Sequence, residues 1–382
     1  MDRKAAFTIF LVVLTDLIGF GIIIPIFPQI SSELGIEGFA LGLLMASFSV
    51  AQFISAPLLG RLSDQIGRKP VLVLSKAGSI VAYLLLAYTK NYQLLFLSRL
   101  IDGFTGGNIP AARAYISDIT TPQNRSKGMA LIGIAFGLGF IIGPAIGGLT
   151  FSISGDKTLP GLVGASLSLL SLLLTQFLLK EKFVPQKNPQ TSNFVKSFFS
   201  VLNRPYVRTI MFIQLVYMLL ISGYQTTLSF FADEILFFSP KQNSFLFIYI
   251  GFLALIIQGS IARKGSKNNY LSISIGLLLS FIGVSLSSFS SSPLFLYASL
   301  LPYAIGSGLV GVFLPTVLST SDSKDPEGEI MGVFESVGSL GRIFGPTLAA
   351  SFITFYPRQT FLVIAFFILL LTFFQYKKSR SI

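Results

Sequence analysis

Seven ionisable residues lie inside long apolar stretches of this sequence, where a charge is costly to keep. They are Asp16, Lys76, Arg99, Asp102, Arg113, Glu335 and Arg342. A carboxylate in apolar surroundings is driven toward its neutral form, so it can take up and release a proton. Asp16 and Glu335 are the first candidates for such proton transfer. Asp102 is a third, although Arg99 at i−3 could hold it ionised. In the alternative interpretation, these side chains only tether neighbouring helices.

Polar and aromatic side chains in the same stretches could line a cavity for a lipophilic guest. Arg342 follows Glu335 by seven residues, about two turns along one helix face, so it could pair with that acid or with a substrate. Protonation of Asp16 would weaken its hold on a cationic guest. Each aromatic residue could instead be a packing residue. The candidates for the cavity wall are Asp16, Arg99, Tyr217, Tyr224, Gln225 and Arg342.

Composition excludes an ordinary soluble protein. The 382 residues are 52% hydrophobic and only 12% charged, whereas a soluble domain carries about 25% charged residues. The mean hydropathy is +0.74. The net charge of +12 does not indicate nucleic-acid binding, because the basic residues lie in short gaps between apolar stretches. The absence of cysteine excludes disulfides and thiol chemistry.

The apolar stretches are long enough to cross a membrane, which takes about twenty helical residues. We take the first as a retained transmembrane helix, because it is longer than a signal-peptide core. One long polar segment, 181–205, divides the chain into bundles at 1–180 and 206–382. The twelve predicted spans are 5–28, 39–60, 71–89, 92–118, 127–151, 159–180, 206–232, 242–262, 269–289, 293–319, 328–354 and 358–376.

The distribution of Lys and Arg predicts the orientation. With both termini inside, the only Lys and Arg residues in outer loops are Lys90, Lys157, Lys241 and Arg358. All other Lys and Arg residues of the loops and termini lie on the inner side. This is the positive-inside pattern. We therefore expect a multi-pass protein of a bacterial-type plasma (inner) membrane with both termini in the cytoplasm.

The two halves are related in sequence. An offset of 202 residues places 129–151 on 331–353 and aligns Gly143-Pro144 with Gly345-Pro346. Two six-helix halves related by an axis along the membrane normal form the architecture of one large class of secondary transporters. The predicted fold is therefore an all-α membrane protein of twelve helices in two pseudo-symmetric halves.

The stretch GRLSDQIGRKP at 60–70 joins the second and third spans. It resembles the signature loop of the major facilitator superfamily. The resemblance implies a latch that holds the halves together: Asp64 would face the start of the span near Glu327, and Arg68 would pair with Asp118. A plain basic turn is the alternative. The residues of the predicted latch are Gly60, Asp64, Gly67, Arg68, Lys69 and Asp118.

The fifth span contains GIAFGLGFIIGPAIGG, which resembles the antiporter motif of the drug:proton antiporter branch of this superfamily. Gly139, Gly143 and Gly147 repeat every four residues and give one face without side chains, suited to close helix packing. Pro144 permits a bend, and Gly148 completes the motif. The resemblance implies export of a substrate in exchange for protons.

The N-terminal half is most similar to the tetracycline exporters. LTDLIGFGIIIPIFPQI, which contains Asp16, resembles their first helix, and RLIDGFTGGNIPAARAYISDIT resembles their fourth. Gln258 matches a polar residue of their eighth helix, which adds it to the candidates for the cavity wall. The chain has no histidine, however, and its ninth span has no acid. Tetracycline itself is therefore in doubt as a substrate.

Together these features predict a proton-coupled antiporter that exports small lipophilic or drug-like molecules by alternating access. The alternatives are an uptake carrier or facilitator for a metabolite, sugar or lipid, and a membrane receptor. No G-x-x-x-x-G-K-[ST] motif is present, so ATP is not the expected energy source. We expect no catalytic, cofactor or metal site. The expected partners are a small-molecule substrate, protons and the lipid bilayer, without nucleic acid, and the expected state is a monomer.

Overall fold

The computed structural model describes residues 3–35, 38–181, 201–238, 240–264, 268–320, 327–353 and 356–379. These ranges form thirteen α-helices, two short 3₁₀ turns and connecting turns. In chain order, the helices α1 to α13 are Arg3–Glu33, Gly38–Ile66, Arg68–Tyr88, Tyr92–Thr105, Ile109–Asp118, Arg125–Ser154, Thr158–Leu178, Pro205–Glu234, Pro240–Lys264, Asn269–Ser288, Pro293–Thr320, Glu327–Ile353 and Pro357–Ser379.

The fold is the predicted all-α membrane architecture, with twelve spans in two six-helix halves. Helices α4 and α5 form one span, interrupted by the 3₁₀ turn Gly106–Asn108. By length and apolar composition alone, eight helices in the described ranges qualify as membrane-crossing. Most helix ends lie within three residues of the predicted span limits, but α1 and α2 continue five and six residues beyond theirs, to Glu33 and Ile66. Of the predicted linker, residues 182–200 lie outside the described ranges, so the exact limits of the two halves stay a prediction.

Glycine contacts hold the first and fifth spans together. Gly139, Gly143 and Gly147 of α6 face Leu17, Gly21 and Ile22 of α1, and a Cβ added at Gly143 would lie 2.7 Å from the Gly21 Cα. Close approach of this kind maximises van der Waals contact, which drives helix association in lipid.

The second half repeats this contact at the same offset of 202 residues. Gly341 of α12 meets Leu219 of α8, and Gly345 meets Gly223. These are the positions equivalent to Gly139 with Leu17 and Gly143 with Gly21. The sequence repeat that relates α6 to α12 therefore extends to α1 and α8, the helices against which they pack.

The halves meet mainly along two helix pairs, α2 with α12 and α6 with α9. At the first seam, Gly60 of α2 lies against the backbone of Gly328 and Gly332, and Gly332 lies against Pro57. At the second, Gly137 of α6 lies against Gly251 of α9. Gly60 and Gly328 lie where α2 ends and α12 begins, which we name the α2–α3 end of the bundle.

Candidate functional site

A cavity of about 790 Å³, its open mouth included, lies between the two halves. Glu335 and Arg342 of α12 are its lining residues from the second half. The first half supplies Val13, Asp16, Leu17, Phe20, Phe48, Ser49, Gln52, Ser79, Tyr83, Asp102, Gly106, Asn108, Ile109 and Phe136. The wall is mainly apolar, with a few convergent polar groups, as is usual for small-molecule sites.

Asp16 lies on this wall, with its side chain 19% exposed. Its carboxylate forms an ion pair with Lys76 of α3 and accepts a hydrogen bond of 2.9 Å from Asn108 Nδ2. Lys76 is fully buried, and its ammonium also donates to the Val12 carbonyl oxygen at 3.1 Å. Asp16 thus joins α1 to two other spans while one side of it faces the cavity.

The break between α4 and α5 brings Asn108 to Asp16. Gly103, just before the break, and Gly107, within it, lie against Phe48 and the Ser55–Ala56 segment of α2, and a Cβ at either glycine would collide with α2. Asn108 Nδ2 also donates to Ser75 Oγ at 2.8 Å, which ties the break to α3. Pro110 then opens α5 in its first turn, a position where its missing N–H costs nothing.

Arg99 and Asp102 form a second buried ion pair, with Arg99 Nη1 3.1 Å from Asp102 Oδ2. Both side chains are less than a tenth exposed. Asp102 lines the cavity, whereas Arg99 does not. The guanidinium predicted for the substrate wall therefore lies behind it, as the counter-charge of an acid.

Glu335 is the centre of a third cluster, which joins the halves. It accepts hydrogen bonds of 2.9 Å each from Arg113 of α5 and from Arg342 of its own helix. Arg342 also donates to Gln52 Oε1 of α2 at 2.9 Å. The guanidinium of Arg113 lies over the Phe334 ring, 5.4 Å from its centroid. The pairing of Arg342 with an acid, one of the two predicted possibilities, is present.

Four residues predicted for the cavity wall lie elsewhere, in helix contacts. Tyr217 and Tyr224 of α8 pair their hydroxyls with Ser280 and Ser287 of α10, at 3.2 and 3.0 Å. Gln225 donates to the Tyr303 hydroxyl at 3.5 Å. The fourth, Gln258 of α9, packs against Gly133 and Gly308.

For the first three, the physical reason is that a polar group in a membrane helix needs a partner, and neighbouring helices supply one. Gln258 does not follow this reason, because its buried Oε1 accepts no hydrogen bond in the described part of the chain. In the second half, tyrosine and serine hydroxyls join α8 to α10, whereas in the first half Asp16 and Lys76 join α1 to α3. Reasoning from the sequence missed Phe20, Phe48, Phe136 and Gln52 on the wall. Phenylalanine is too common in this chain to mark a site, and no pattern singled out Gln52.

The predicted latch residues come together at the α2–α3 end. Asp64 accepts hydrogen bonds from the backbone N–H groups of Gly328, at 3.0 Å, and Glu329, at 2.7 Å, in the first turn of α12. It also forms an ion pair with Arg68, whose Nε lies 3.0 Å from Asp118 Oδ2. An anion at a helix N-terminus is favoured by the helix dipole and by the free N–H groups.

The loop predicted at 60–70 is shorter in the structure, because α2 continues to Ile66 and α3 begins at Arg68, so Gly67 alone separates the two helices. Gly67 has a φ of +102°, a conformation open to glycine. The Lys69 ammonium donates to the Gln176 carbonyl oxygen at 2.6 Å. A further contact between the halves was not predicted: Arg125, which begins α6, lies 3.1 Å from Glu327, which begins α12. Nothing in the spacing of these two residues pointed to it.

Only some residues of the predicted antiporter motif contact α1. Gly139, Gly143 and Gly147 meet α1, and Pro144 lies within α6. Gly148 has nothing within 4 Å of the place its Cβ would take. Helix packing in this structure therefore does not explain why position 148 is a glycine.

Known proteins resemble the chain over nearly its whole length. Residues 9–346 match the family described as Major Facilitator Superfamily. Mouse major facilitator superfamily domain-containing protein 10 is 30% identical, over 92% of this chain and 87% of that protein. The class H tetracycline resistance protein of Pasteurella multocida is 29% identical, over 91% and 88%. The crystal structure of the human organic anion transporter MFSD10 (TETRAN) superposes with a TM-score of 0.87 at 27% identity, covering 98% of this chain and 99% of that one.

Proposed function

Because the chain belongs to the major facilitator superfamily, and so is a multi-pass membrane transporter, we propose that it is a proton-coupled antiporter. It exports small lipophilic or drug-like molecules by alternating access, with both termini in the cytoplasm of a bacterial-type cell. ATP has no part in this cycle. The protein works as a monomer, with one bundle at 1–180 and the other at 206–382.

The position of Asp16 is the observation that supports proton coupling most directly. It is an acid on the wall of the cavity between the halves, where it can exchange a proton with water and respond to a bound substrate. Its partners, Lys76 and Asn108, lie on two other spans. A change in its charge therefore alters the contacts of three spans. Asp102 and Glu335 are the alternative proton carriers, and each has arginine as a counter-charge.

The contacts at the α2–α3 end support alternating access. With this end facing the cytoplasm, the Asp64 and Arg125 contacts close the cytoplasmic side. Opening that side requires these charge-assisted bonds to break and the α2–α12 seam to part. The paired contacts of α1 with α6 and α8 with α12 then give each half a stiff core that can move as a unit.

Transport of an organic anion is a second candidate, and one observation favours it. Arg342 lines the cavity with its side chain 32% exposed, so it can meet a carboxylate or sulfonate. The solved relative described above is named an organic anion transporter, and an anion would suit this guanidinium. An uptake carrier for a metabolite, sugar or lipid remains the competing function, and it differs in the direction of coupled flow.

Reconstituted vesicles with an imposed pH gradient test the proposal. The purified protein should accumulate a lipophilic dye or drug against its gradient, driven by protons. Asp16→Asn should abolish this uphill transport, because the residue can no longer change charge, while exchange of substrate down its own gradient persists. Asp233→Asn, the same change at an exposed position, is the matched control.

Equal uphill transport by the Asp16→Asn variant and the unaltered protein would remove Asp16 as the coupling residue. The same pair of assays on Asp102→Asn and Glu335→Gln then decides between the two remaining carriers. Accumulation that does not depend on the pH gradient would contradict proton coupling itself.

A further inference from the structure

Lys76 is a fully buried cation to which the proposed transport cycle gives no role of its own beyond holding Asp16. It lies in the third span, and its ammonium is held by the Asp16 carboxylate and by the Val12 carbonyl oxygen. A buried ammonium is costly unless it is paired. Its presence beside the one acid of α1 that faces the cavity therefore calls for a reason beyond helix packing.

The second half shows that packing alone does not require such a pair. There, α8 is joined to α10 by neutral hydroxyl contacts, Tyr217 with Ser280 and Tyr224 with Ser287. In the first half, the same relation between α1 and α3 uses two opposite charges. The difference points to the charge of Lys76, rather than its size or its hydrogen bonds, as the property that matters.

Pairing changes what a substrate in the cavity encounters. Alone, an ionised Asp16 would present one negative charge at the wall and attract an organic cation. Paired with Lys76, the two groups together carry no net charge, whichever of them holds the shared proton. When the pair takes up one more proton it becomes positive, so neither state attracts a cation.

The other acids at the cavity are compensated in the same way. Asp102 is paired with Arg99, and Glu335 is held by both Arg113 and Arg342. Counted with Asp16 and Lys76, three acids therefore face four basic groups in the described part of the cavity region. One positive charge is left over, and Arg342, about a third exposed, carries it to the wall.

We propose that Lys76 is a specificity-determining residue that sets the charge preference of the cavity. By neutralising Asp16, it makes the cavity select anionic and neutral lipophilic molecules and reject organic cations. The inference deepens the proposed function, since it takes this cavity to be the substrate site, but it does not depend on proton coupling.

Binding of two ions of similar size and shape and opposite charge tests the inference. Tetraphenylphosphonium and tetraphenylborate are titrated into the purified protein in an uncharged detergent, at one fixed pH and without a gradient. Protein-free micelles give the blank. The measured quantity is the ratio of the two affinities, since a variant that only loosens the cavity would lower both affinities and leave the ratio unchanged. The unaltered protein should bind the borate more tightly.

The two variants of the pair should affect this ratio differently. Lys76→Gln leaves Asp16 uncompensated, so the ratio should shift toward the cation by about tenfold or more, as expected for one charge within several ångströms at intermediate dielectric. Asp16→Asn removes the acid that keeps the fully buried Lys76 charged, and a buried ammonium without a partner loses its proton. This variant should therefore leave the site neutral, with no shift toward the cation. The double variant should return it close to the original value.

Lys90→Gln, which removes the same charge from an exposed outer position, is the matched control and should not change the ratio. A ratio within twofold of the unaltered protein in Lys76→Gln would overturn the inference. If Lys76→Gln does not fold, Lys76→Met, which keeps a side chain of similar length without its charge, carries the test with the same predicted sign. Loss of proton-driven transport with the predicted ratios intact would count against the proposed function and leave this inference standing.

Discussion

Replacing Asp64 by asparagine should shift the protein toward the state that is open at the α2–α3 end. The carboxylate accepts backbone hydrogen bonds from Gly328 and Glu329, at 3.0 and 2.7 Å, from the opposite half. The asparagine side chain keeps one acceptor oxygen, so one of these bonds and the negative charge at the helix N-terminus are lost. Arg68 keeps its pair with Asp118, so the turn itself should remain folded.

The size of the effect follows from these contacts. A hydrogen bond to a charged group contributes roughly 1.5–3 kcal/mol, and a charge at a helix N-terminus contributes about 0.3–1 kcal/mol. The lost contacts exist only while the halves are closed at this end. The equilibrium between the two states should therefore move by about 2–4 kcal/mol, which is roughly a 30- to 800-fold change in their ratio.

Cysteine labelling measures this ratio directly, because the chain has no cysteine of its own. Ser49 lines the cavity, so a Ser49→Cys background reports access to it. In right-side-out and inverted vesicles, a membrane-impermeant maleimide should react faster from the α2–α3 side when Asp64→Asn is added. Asp233→Asn in the same background should leave the rates unchanged. Labelling rates within twofold of the background protein would refute the latch role of Asp64.

Two further substitutions test the helix contacts and the cluster between the halves. Gly143→Leu should stop alternation, because its side chain would collide with Gly21 and the Ile18 carbonyl oxygen of α1. Gly148→Leu, at a position with nothing within 4 Å, is the control and should alternate normally in the same labelling assay. Normal alternation by the Gly143 variant would contradict the packing role of this face. Glu335→Gln should lower the melting temperature of the purified protein, because Arg113 and Arg342 are left with a neutral partner and lose a charge pairing worth about 3–5 kcal/mol. The exposed change Glu234→Gln is its control. An unchanged melting temperature in Glu335→Gln would show that the cluster contributes little to stability.

The sequence by itself determined the spans and the general fold. A helix in lipid must satisfy its own backbone and present apolar side chains for about twenty residues, so each span is visible in the chain as a local pattern. The repeat at an offset of 202 residues predicted two related halves. The resemblance of the stretch 60–70 to the signature of the superfamily implied a contact between Asp64 and the start of α12, and the structure contains that contact. Its role in transport stays a prediction.

The partners of the buried charges were decided only by the tertiary structure. Asp16 meets Lys76 and Asn108, and Arg113 meets Glu335 across the two halves. These residues are far apart in the chain, and one apolar helix can be turned about its axis without changing its hydropathy. Which face of a helix meets a neighbour depends on glycine contacts such as Gly139 with Leu17.

The same reason explains why Tyr217, Tyr224 and Gln225 were placed on the cavity wall from the sequence but lie in helix contacts. In a soluble protein, a polar face marks the side toward water. In a membrane helix, polar groups turn toward whichever neighbour can bond them, and that neighbour is fixed by the packing of the whole bundle. A linear sequence of spans therefore determines that a buried charge needs a partner, while the packed bundle alone determines which residue that partner is.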